Sequence, residues 1–306
     1  MPKATRASFG EAVVELAENN SNIVVVDADL SKSTMTGEFA EKFPERYYNV
    51  GIAEGNLVGV GAGLALSGKI PFITSFSCFL IGRFEQIRMS IAYTNANVKI
   101  IGTHVGIGIG EDGYSQMALE DISIIRALPN IVIIQPADDI EAKKAVHFAA
   151  DYEGPCFLRL TRQKLEDINP PDYEFKFGKG VVLKEGSDIA AIASGGVVYN
   201  TLTAANELEK EGVSVEVINI HTISPIDKEL IIYSAKKTGK VITVEDHSIN
   251  GGLGGAVCEL LSEKLPTKVK RHGLKDFGES GSTEDLYQKY GLSPDGIKNE
   301  IKELLK

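Results

Sequence analysis

Short runs of apolar, β-branched residues alternate along this chain with stretches that repeat their apolar residues every three or four positions. In the first half of the chain, the runs predicted as strands are Ile23–Val26, Ile70–Thr74, Val98–Thr103, Ile131–Gln135 and Cys156–Leu160. A continuous apolar run of this length is typical of a strand that is buried on both faces of a parallel sheet. Because such strands alternate with helical patterns such as Ile81–Tyr93, the sequence predicts a doubly wound α/β fold.

This alternation is interrupted once and then resumes. The interruption contains two adjacent prolines, scattered charges and no periodicity, which is typical of a linker. Beyond it, the predicted strands are Asp188–Ala193, Val213–Ile220, Val241–Glu245 and Thr267–Arg271, and a last helix is predicted over Pro294–Leu305. We therefore predict two successive doubly wound, mainly parallel-sheet domains, at residues 1–165 and 181–306, joined by a linker at residues 166–180.

The charge and the cysteines restrict the partners of the chain. It has 306 residues and a net charge of −10, which opposes binding to phosphate backbones, so we predict no nucleic-acid and no membrane partner. No signal peptide is visible and no apolar run approaches the ~20 residues that span a bilayer, which predicts a cytoplasmic location. The three cysteines show no metal-ligand spacing, so no metal site is predicted. An anionic substrate would need a local cluster of cations.

A glycine repeat surrounds one carboxylate. Gly51, Gly55, Gly59 and Gly63 recur every four residues and predict a helix with one bare face. An interior glycine costs a helix about 1 kcal/mol relative to alanine, so this face is expected to serve close packing against another backbone. Glu54 lies at the start of this helix, where the helix dipole favours a carboxylate. It is interpreted either as such a terminal charge or as a buried carboxylate aimed at a ligand.

Three further residues follow predicted strands, where open α/β sheets place their ligands. Phe76 and Phe79 are interpreted as core residues or as a stacking platform for a planar ring. His104 is interpreted as structural or catalytic. The loop Gly108–Gly113 fits a dinucleotide-binding pattern, but its Glu111 and Asp112 would put carboxylates where a pyrophosphate binds. We therefore interpret it as a flexible glycine loop or as a ligand-binding loop of another kind.

Five motifs in one order resemble transketolases over nearly the whole chain. Gly110–Asp121 resembles the family's substrate loop, and Ile52–Glu54 resembles the start of the helix that carries its thiamine-activating glutamate. Asp27–Thr34, Phe84–Met89 and Val244–His247 follow the family's order and spacing. The resemblance implies a pyrimidine-binding domain followed by the transketolase C-terminal domain, which together make up about half of a usual transketolase.

The resemblance also implies a separate subunit. The family's Gly-Asp-Gly…Asn signature, which holds the diphosphate of thiamine diphosphate through a divalent metal, is missing from this sequence. We therefore expect a partner subunit that carries this site with Mg or Ca, and a hetero-tetramer that is active only when complete. Gly55 replaces a common Gln or His, and Gly82 replaces a third aromatic residue of some members.

By resemblance, the chain is a transketolase subunit of the pentose phosphate pathway that transfers a two-carbon ketol unit from a ketose phosphate to an aldose phosphate. Glu54 and His104 would be the catalytic residues. The implied cofactor-binding residues are Glu54, Phe76, Phe79 and Gln116. The residues implied to bind the sugar phosphate are Arg6, Ser33, His104, Asp112 and Arg162.

Three alternatives share this fold. One is the beta subunit of a 2-oxo acid dehydrogenase first component, which also works with a separate diphosphate-binding subunit. It is ranked lower because Asp112 and the segment Ser115–Asp121 resemble the sugar-binding form of the loop. A deoxyxylulose phosphate synthase normally carries all its domains in one chain. A non-catalytic scaffold would have no need of Glu54, His104 and Asp112.

Overall fold

The computed structural model describes residues 2–306 and divides into two compact units. Unit 1 contains the chain up to Val105 together with Ile124–Phe175. Unit 2 contains Gly106–Ser123 and Lys176–Lys306. A segment from the middle of the first half of the sequence therefore packs with the second half. The two domains predicted from the sequence, residues 1–165 and 181–306, are successive segments of the chain, and these bounds stay a prediction.

Unit 1 is built on a parallel sheet. Its strands are β1 (Lys3–Ala4), β2 (Ile23–Asp27), β3 (Tyr47–Asn49), β4 (Ile70–Phe76), β5 (Lys99–Thr103), β6 (Val132–Ile134), β7 (Cys156–Arg159) and β8 (Lys164–Leu165). Strands β2 to β7 pair in the order β6-β7-β5-β4-β2-β3, each parallel to its neighbour. Strands β2, β4, β5 and β7 are almost entirely buried, as their continuous apolar runs predict.

Helices cover this sheet. They are α1 (Thr5–Asn19), α2 (Ser31–Thr34), α3 (Gly37–Lys42), α4 (Glu54–Leu66), α5 (Ser77–Ile81), α6 (Phe84–Gln86), a π-helical segment (Ile87–Ala92) and α8 (Asp139–Asp151). In one further helix, α7 (Asp121–Arg126), the chain passes from unit 2 back to unit 1. The predicted continuous helix over Ile81–Tyr93 is wrong, because the chain breaks at Gly82 and Arg83 and then forms the π-helical segment.

Unit 2 repeats the architecture on a smaller scale. Its strands are β9 (Val181–Lys184), β10 (Ile189–Ala193), β11 (Val215–Asn219), β12 (Thr222–Ser224), β13 (Lys240–Ser248) and β14 (Lys268–Leu274). Five of them form a sheet in the order β14-β13-β10-β11-β9, parallel except for β9. Its helices are α9 (Val198–Lys210), α10 (Lys228–Thr238), α11 (Leu253–Lys264), α12 (Thr283–Lys289) and α13 (Pro294–Leu305). The predicted fold class, two mainly parallel α/β sheets, is confirmed.

Candidate active site

Most of the predicted site residues of unit 1 lie at one edge of its sheet. Strands β2, β3, β4, β5 and β7 run parallel, so the segments that follow them leave the sheet at the same edge. Ser33 follows β2, Glu54 follows β3, Phe76 ends β4, His104 follows β5 and Arg162 follows β7. Parallel topology therefore gathers residues that are far apart in sequence, at the place where open α/β sheets bind ligands.

Arg6 reaches the same edge by a different route. The two-residue strand that precedes it, β1, pairs antiparallel with β8. The pairing is reinforced where the Thr161 amide donates to the Thr5 hydroxyl over 2.8 Å. This brings the first turn of α1, with Arg6, beside the segment that carries Arg162. A strand of two residues has no periodicity of its own, so this contact could not be predicted from the sequence.

Glu54 is the first residue of α4 and is 7% exposed. Its Oε1 accepts one hydrogen bond, from the Ser75 hydroxyl at 3.2 Å. Ser75 precedes Phe76 at the end of β4, so the carboxylate is held at the same end of this strand as the aromatic residues. Gly51 is not part of the glycine face that the sequence predicts, because it precedes α4 with a φ of +73° in the turn that leads into the helix.

The two phenylalanines form a stack that includes His104. The rings of Phe76 and Phe79 are nearly parallel, with centroids 5.3 Å apart, and the imidazole of His104 stacks on Phe76 at 3.6 Å. Register explains the second contact, since Phe76 pairs with Thr103 across β4 and β5. Because Phe79 and His104 both pack on Phe76, a planar ligand ring has the half-buried Phe79 as its accessible partner.

Arg6, Ser33, His104 and Arg162 form the polar part of this edge. The Arg6 guanidinium donates to the Ser33 carbonyl over 2.7 Å, and the same nitrogen lies 3.0 Å from His104 Nε2. Burial, together with the positive charges of Arg6 and Arg162, lowers the pKa of His104 to about 3. His104 is therefore neutral at physiological pH, and the positive charges of Arg6 and Arg162 lie close enough to act on it. This is the local cationic cluster that an anionic substrate would need.

Asp112 and Gln116 belong to the Gly106–Ser123 segment of unit 2. Asp112 is exposed and Gln116 is half-buried in the short 3₁₀ turn Tyr114–Gln116. The segment is anchored at its start by Asp246, whose carboxylate accepts from the amide of Ile107 over 2.8 Å. Thr283 donates to the Gly108 carbonyl over 3.0 Å. The loop is thus a defined structure within unit 2.

Ser75 and Thr103 were missed by the sequence analysis. Ser75 holds Glu54, and the Thr103 hydroxyl lies 2.8 Å from His104 Nδ1. Both are fully buried polar residues at the carboxyl ends of neighbouring strands. That position was the available signal, because a hydroxyl that closes an otherwise apolar buried strand must find a partner at the sheet edge.

The residues of unit 1 fit the pyrimidine end of thiamine diphosphate. A buried carboxylate with unused acceptor capacity and an aromatic face are the groups that an aminopyrimidine requires. Among residues 2–306, no cluster of three or more His, Cys, Asp or Glu side chains is arranged to hold a metal ion. Within the same residues, no helix is long and apolar enough to cross a membrane.

Comparison with known proteins assigns the fold of this chain to one class. The model of the transketolase pyrimidine-binding domain matches residues 1–167, and that of the transketolase C-terminal domain matches residues 178–297. The chain therefore has the two-domain architecture of the second part of a transketolase, and it belongs to the transketolase family. The predicted family is confirmed.

Two relatives and one solved structure have nearly the same length as this chain. A protein of Methanocaldococcus jannaschii described as a transketolase C-terminal section is 46% identical over 99% of this chain and 97% of its own. A 6-deoxy-6-sulfo-D-fructose transketolase subunit of a Clostridium species is 38% identical over 98% of this chain and 94% of its own. A solved structure described as a split-gene transketolase, an inactive β4 tetramer, is 45% identical with a TM-score of 0.92, over 99% and 98% of the two chains.

Proposed function

We propose that this chain is one subunit of a split transketolase that transfers a two-carbon ketol unit from a ketose phosphate to an aldose phosphate. The observation that carries the proposal is the meeting of two sets of groups at one sheet edge of unit 1. One set is the carboxylate Glu54 with the Phe76–Phe79 stack, and the other is the cationic cluster around His104. The first suits an aminopyrimidine, and the second suits the anionic end of a sugar phosphate.

Glu54 would act on the cofactor. Thiamine diphosphate, when bound, supplies the electron sink for the two-carbon unit. Glu54 would accept a hydrogen bond from the aminopyrimidine ring and so set its protonation, with Ser75 fixing the carboxylate from behind. Phe79 would pack against the ring, and Gln116 would lie close to it. A carboxylate that is 7% exposed makes a strong, poorly screened interaction at this position.

The cationic cluster would hold the sugar phosphate. Arg6 and Arg162 present donors and positive charge beside Ser33, and an arginine fork matches the geometry of phosphate oxygens. His104 and Asp112 would bind sugar hydroxyls. The related Clostridium protein is named for a sulfonated sugar, so a sulfonate is the second anion that such a cluster could take. Phosphate is proposed here because a cluster with two arginines fits a dianion best.

A separate subunit would complete the enzyme and hold the diphosphate through Mg or Ca. Helix α4 is apolar, yet no atom of the described chain outside the helix lies within 4 Å of where a Cβ would stand at Gly59 or Gly63. Three large apolar residues, Ile52 before α4, Leu66 at its end and Tyr93 after the π-helical segment, are 84%, 70% and 81% exposed. Apolar groups exposed to this extent favour a protein interface. We propose a hetero-tetramer with the partner on this surface, working in the cytoplasm in the pentose phosphate pathway.

Reconstitution tests the proposal. The chain and the diphosphate-binding subunit would be purified separately, mixed with thiamine diphosphate and magnesium, and offered a ketose phosphate with an aldose phosphate. A parallel reaction would contain the same ketose without its phosphate, and another a sulfonated ketose. Ketol transfer that prefers the phosphorylated donor is expected. Decarboxylation of a 2-oxo acid with no ketol transfer would instead assign the chain to the oxo acid dehydrogenase class, and no reaction with either would favour a scaffold.

A further inference from the structure

Residues 277–283 of unit 2, which we call the support segment, lead into helix α12 and lie along the Gly106–Ser123 segment of the same unit. The Thr283 hydroxyl donates to the Gly108 carbonyl over 3.0 Å, although the two residues are 175 positions apart in sequence. Further contacts continue along the two segments. A late part of the sequence therefore holds a loop that comes from its first half.

The contacts of Ser280 lie on both sides of Asp112. The Ser280 hydroxyl donates to the carbonyl of Glu111, the residue before Asp112. Gly113, the residue after it, packs on the same serine, since a Cβ at Gly113 would stand 3.5 Å from the Ser280 Cβ. Asp112 itself is exposed. The backbone that carries this carboxylate is therefore held on both sides, while the carboxylate stays accessible to a ligand.

Gln116 lies between two packing contacts of the support segment. Before it, the Tyr114 ring meets the Phe277 ring edge-on, with centroids 4.7 Å apart. After it, the buried Met117 lies against Gly278, where a Cβ would stand 2.5 Å from the Met117 sulfur. The support segment therefore contacts the loop on both sides of each residue that is proposed to reach substrate or cofactor.

The loop has a weak conformational preference of its own. Gly110 and Gly113 have φ values of +85° and +75°, and glycine adopts positive φ about as readily as negative φ. The hydrogen bonds inside the loop close short turns, such as the one from the Gly113 amide to the Gly110 carbonyl at 3.2 Å. Because such turns open easily when few other contacts surround them, the loop depends on the support segment for one fixed shape.

We propose that Gly278, Ser280 and Thr283 are positioning residues that hold the loop in the shape in which Asp112 and Gln116 can act. This inference rests on the proposed function, in which Asp112 binds a sugar hydroxyl and Gln116 lies close to the aminopyrimidine. A loop that is already ordered loses less conformational entropy when its ligand binds. Unit 2 thus contributes to the reaction by ordering this loop in advance.

Amide hydrogen exchange on the full-length chain, without partner or cofactor, tests the support. The amides of Gly113, Gln116 and Met117 donate within the loop, so their exchange reports its opening. The double variant Ser280→Ala/Thr283→Val loses both hydrogen bonds from the support segment. We expect these amides to exchange about tenfold faster in it than in wild type. Unchanged exchange would overturn the inference.

Ser282→Ala is the matched control. Ser282 also lies in the support segment, but its hydroxyl accepts from the Asp285 amide over 3.1 Å and so caps α12. Loss of this cap should lower the ratio of folded to unfolded chain by about fivefold. The loop amides should keep their wild-type exchange, because they open locally. Loop exchange as fast as in the double variant would mean that the loop follows general stability, which would overturn the inference.

Kinetics of the reconstituted enzyme test what the support does for the substrate. The double variant should raise KM for the ketose donor by about tenfold, with and without its phosphate, because Asp112 is proposed to bind hydroxyls. Ser282→Ala should leave this KM unchanged. In an Asp112→Ala background, the double variant should raise KM by less than twofold, because the two changes act through Asp112.

A tenfold effect in both backgrounds, or no effect in either, would overturn the inference. Failure of the proposed function would instead appear in the wild-type enzyme, as the absence of ketol transfer. The exchange measurements need no ketol transfer, so the two failures give separate results.

Discussion

Each unit has a buried glutamate near the start of a helix: Glu54 is the first residue of α4, and Glu245 in β13 places its carboxylate at the start of α11. The two carboxylates differ in which groups donate hydrogen bonds to them. In unit 2, both oxygens of Glu245 accept backbone amides, from Leu253 at 2.7 Å and Gly254 at 3.0 Å, at the beginning of α11. In unit 1, the Ser75 hydroxyl is the one donor to the Glu54 carboxylate among residues 2–306. A carboxylate whose lone pairs are consumed by its own backbone stabilises a fold, whereas one with unused lone pairs can act on a ligand.

The polar residues after the strands show the same difference. Asp246 in unit 2 accepts from the Ile107 amide at 2.8 Å and from the Tyr287 hydroxyl at 2.9 Å, so it fastens a loop to the sheet. In unit 1, Arg6 and Arg162 place two positive charges next to His104, with no carboxylate among the causes of its pKa shift. In both units, therefore, polar groups meet where parallel strands end. Among the described residues, unit 1 is the one that combines a carboxylate with spare lone pairs and a cationic cluster.

The largest effect is expected from exchanging each glutamate for glutamine. Glu54→Gln keeps the shape and the bond from Ser75 but removes the charge, so turnover of the reconstituted enzyme should fall by ~10²–10⁴-fold, with unfolding unchanged. Glu245→Gln is the matched control, which should lose ~1.5–3 kcal/mol of stability and keep its turnover per folded molecule. Turnover is measured by steady-state kinetics and stability by urea unfolding, for both variants. A Glu54→Gln enzyme within threefold of wild type would remove Glu54 from the chemistry.

A smaller effect is expected from the cationic cluster. Arg162→Ala should raise the Michaelis constant for the phosphorylated donor by about ten- to a hundredfold, with turnover nearly unchanged, because charge-assisted bonds are worth ~1.5–3 kcal/mol. Arg271→Ala in unit 2, where the exposed guanidinium donates to the Ile249 carbonyl, is the control and should leave this constant unchanged. Equal losses with phosphorylated and unphosphorylated ketoses would show that Arg162 does not recognise the phosphate.

Low pH should lower the stability of both units, because each contains a buried histidine that stays neutral in the folded chain. Burial lowers the pKa of His104 to about 3, with help from Arg6 and Arg162, and burial lowers that of His221 to about 4. The unfolded chain takes up these protons near pH 6.5 and the folded chain does not. Stability is therefore lost as pH falls below about 6.5, by roughly 2 kcal/mol for each histidine at pH 5.

His221→Gln isolates the part of this effect that belongs to unit 2. Its stability should fall by about 2 kcal/mol less than that of wild type between pH 7.5 and pH 5, as measured by urea unfolding. Equal acid sensitivity of the two proteins would mean that His221 is protonated in the folded state.

The smallest effect is expected from replacing a glycine by alanine on either of two faces of α4. Gly59→Ala meets no atom of the described chain outside the helix within 4 Å and should stabilise the isolated chain by about 1 kcal/mol. Gly61→Ala would push a methyl group into Ile73 on the buried face and should destabilise it. If the glycine face binds the partner, Gly59→Ala should also weaken assembly in sedimentation experiments. Unaltered assembly would move the interface elsewhere.

The buried strands of both sheets could be predicted from sequence, because continuous apolar runs such as Ile23–Val26 have few other uses. Phe76 and His104 became candidates by the same rule, since parallel strands end at one edge, whereas Arg6, Ser33 and Arg162 were implied by the resemblance to transketolases. What could not be predicted depends on contacts without periodicity. The two-residue pairing of β1 with β8 brings Arg6 to the site, and hydrogen bonds to Asp246 draw the segment after Val105 into unit 2.

We propose that this chain supplies the pyrimidine end of a cofactor site and that another subunit supplies the diphosphate end. The test is calorimetric titration of the purified chain with thiamine diphosphate and magnesium, first without and then with the diphosphate-binding subunit. We expect no tight binding to the chain alone, because an acidic chain that lacks the Gly-Asp-Gly…Asn signature has little to neutralise a diphosphate. We expect binding once the partner is added. Micromolar binding by the chain alone, or ketol transfer without the partner, would contradict this proposal.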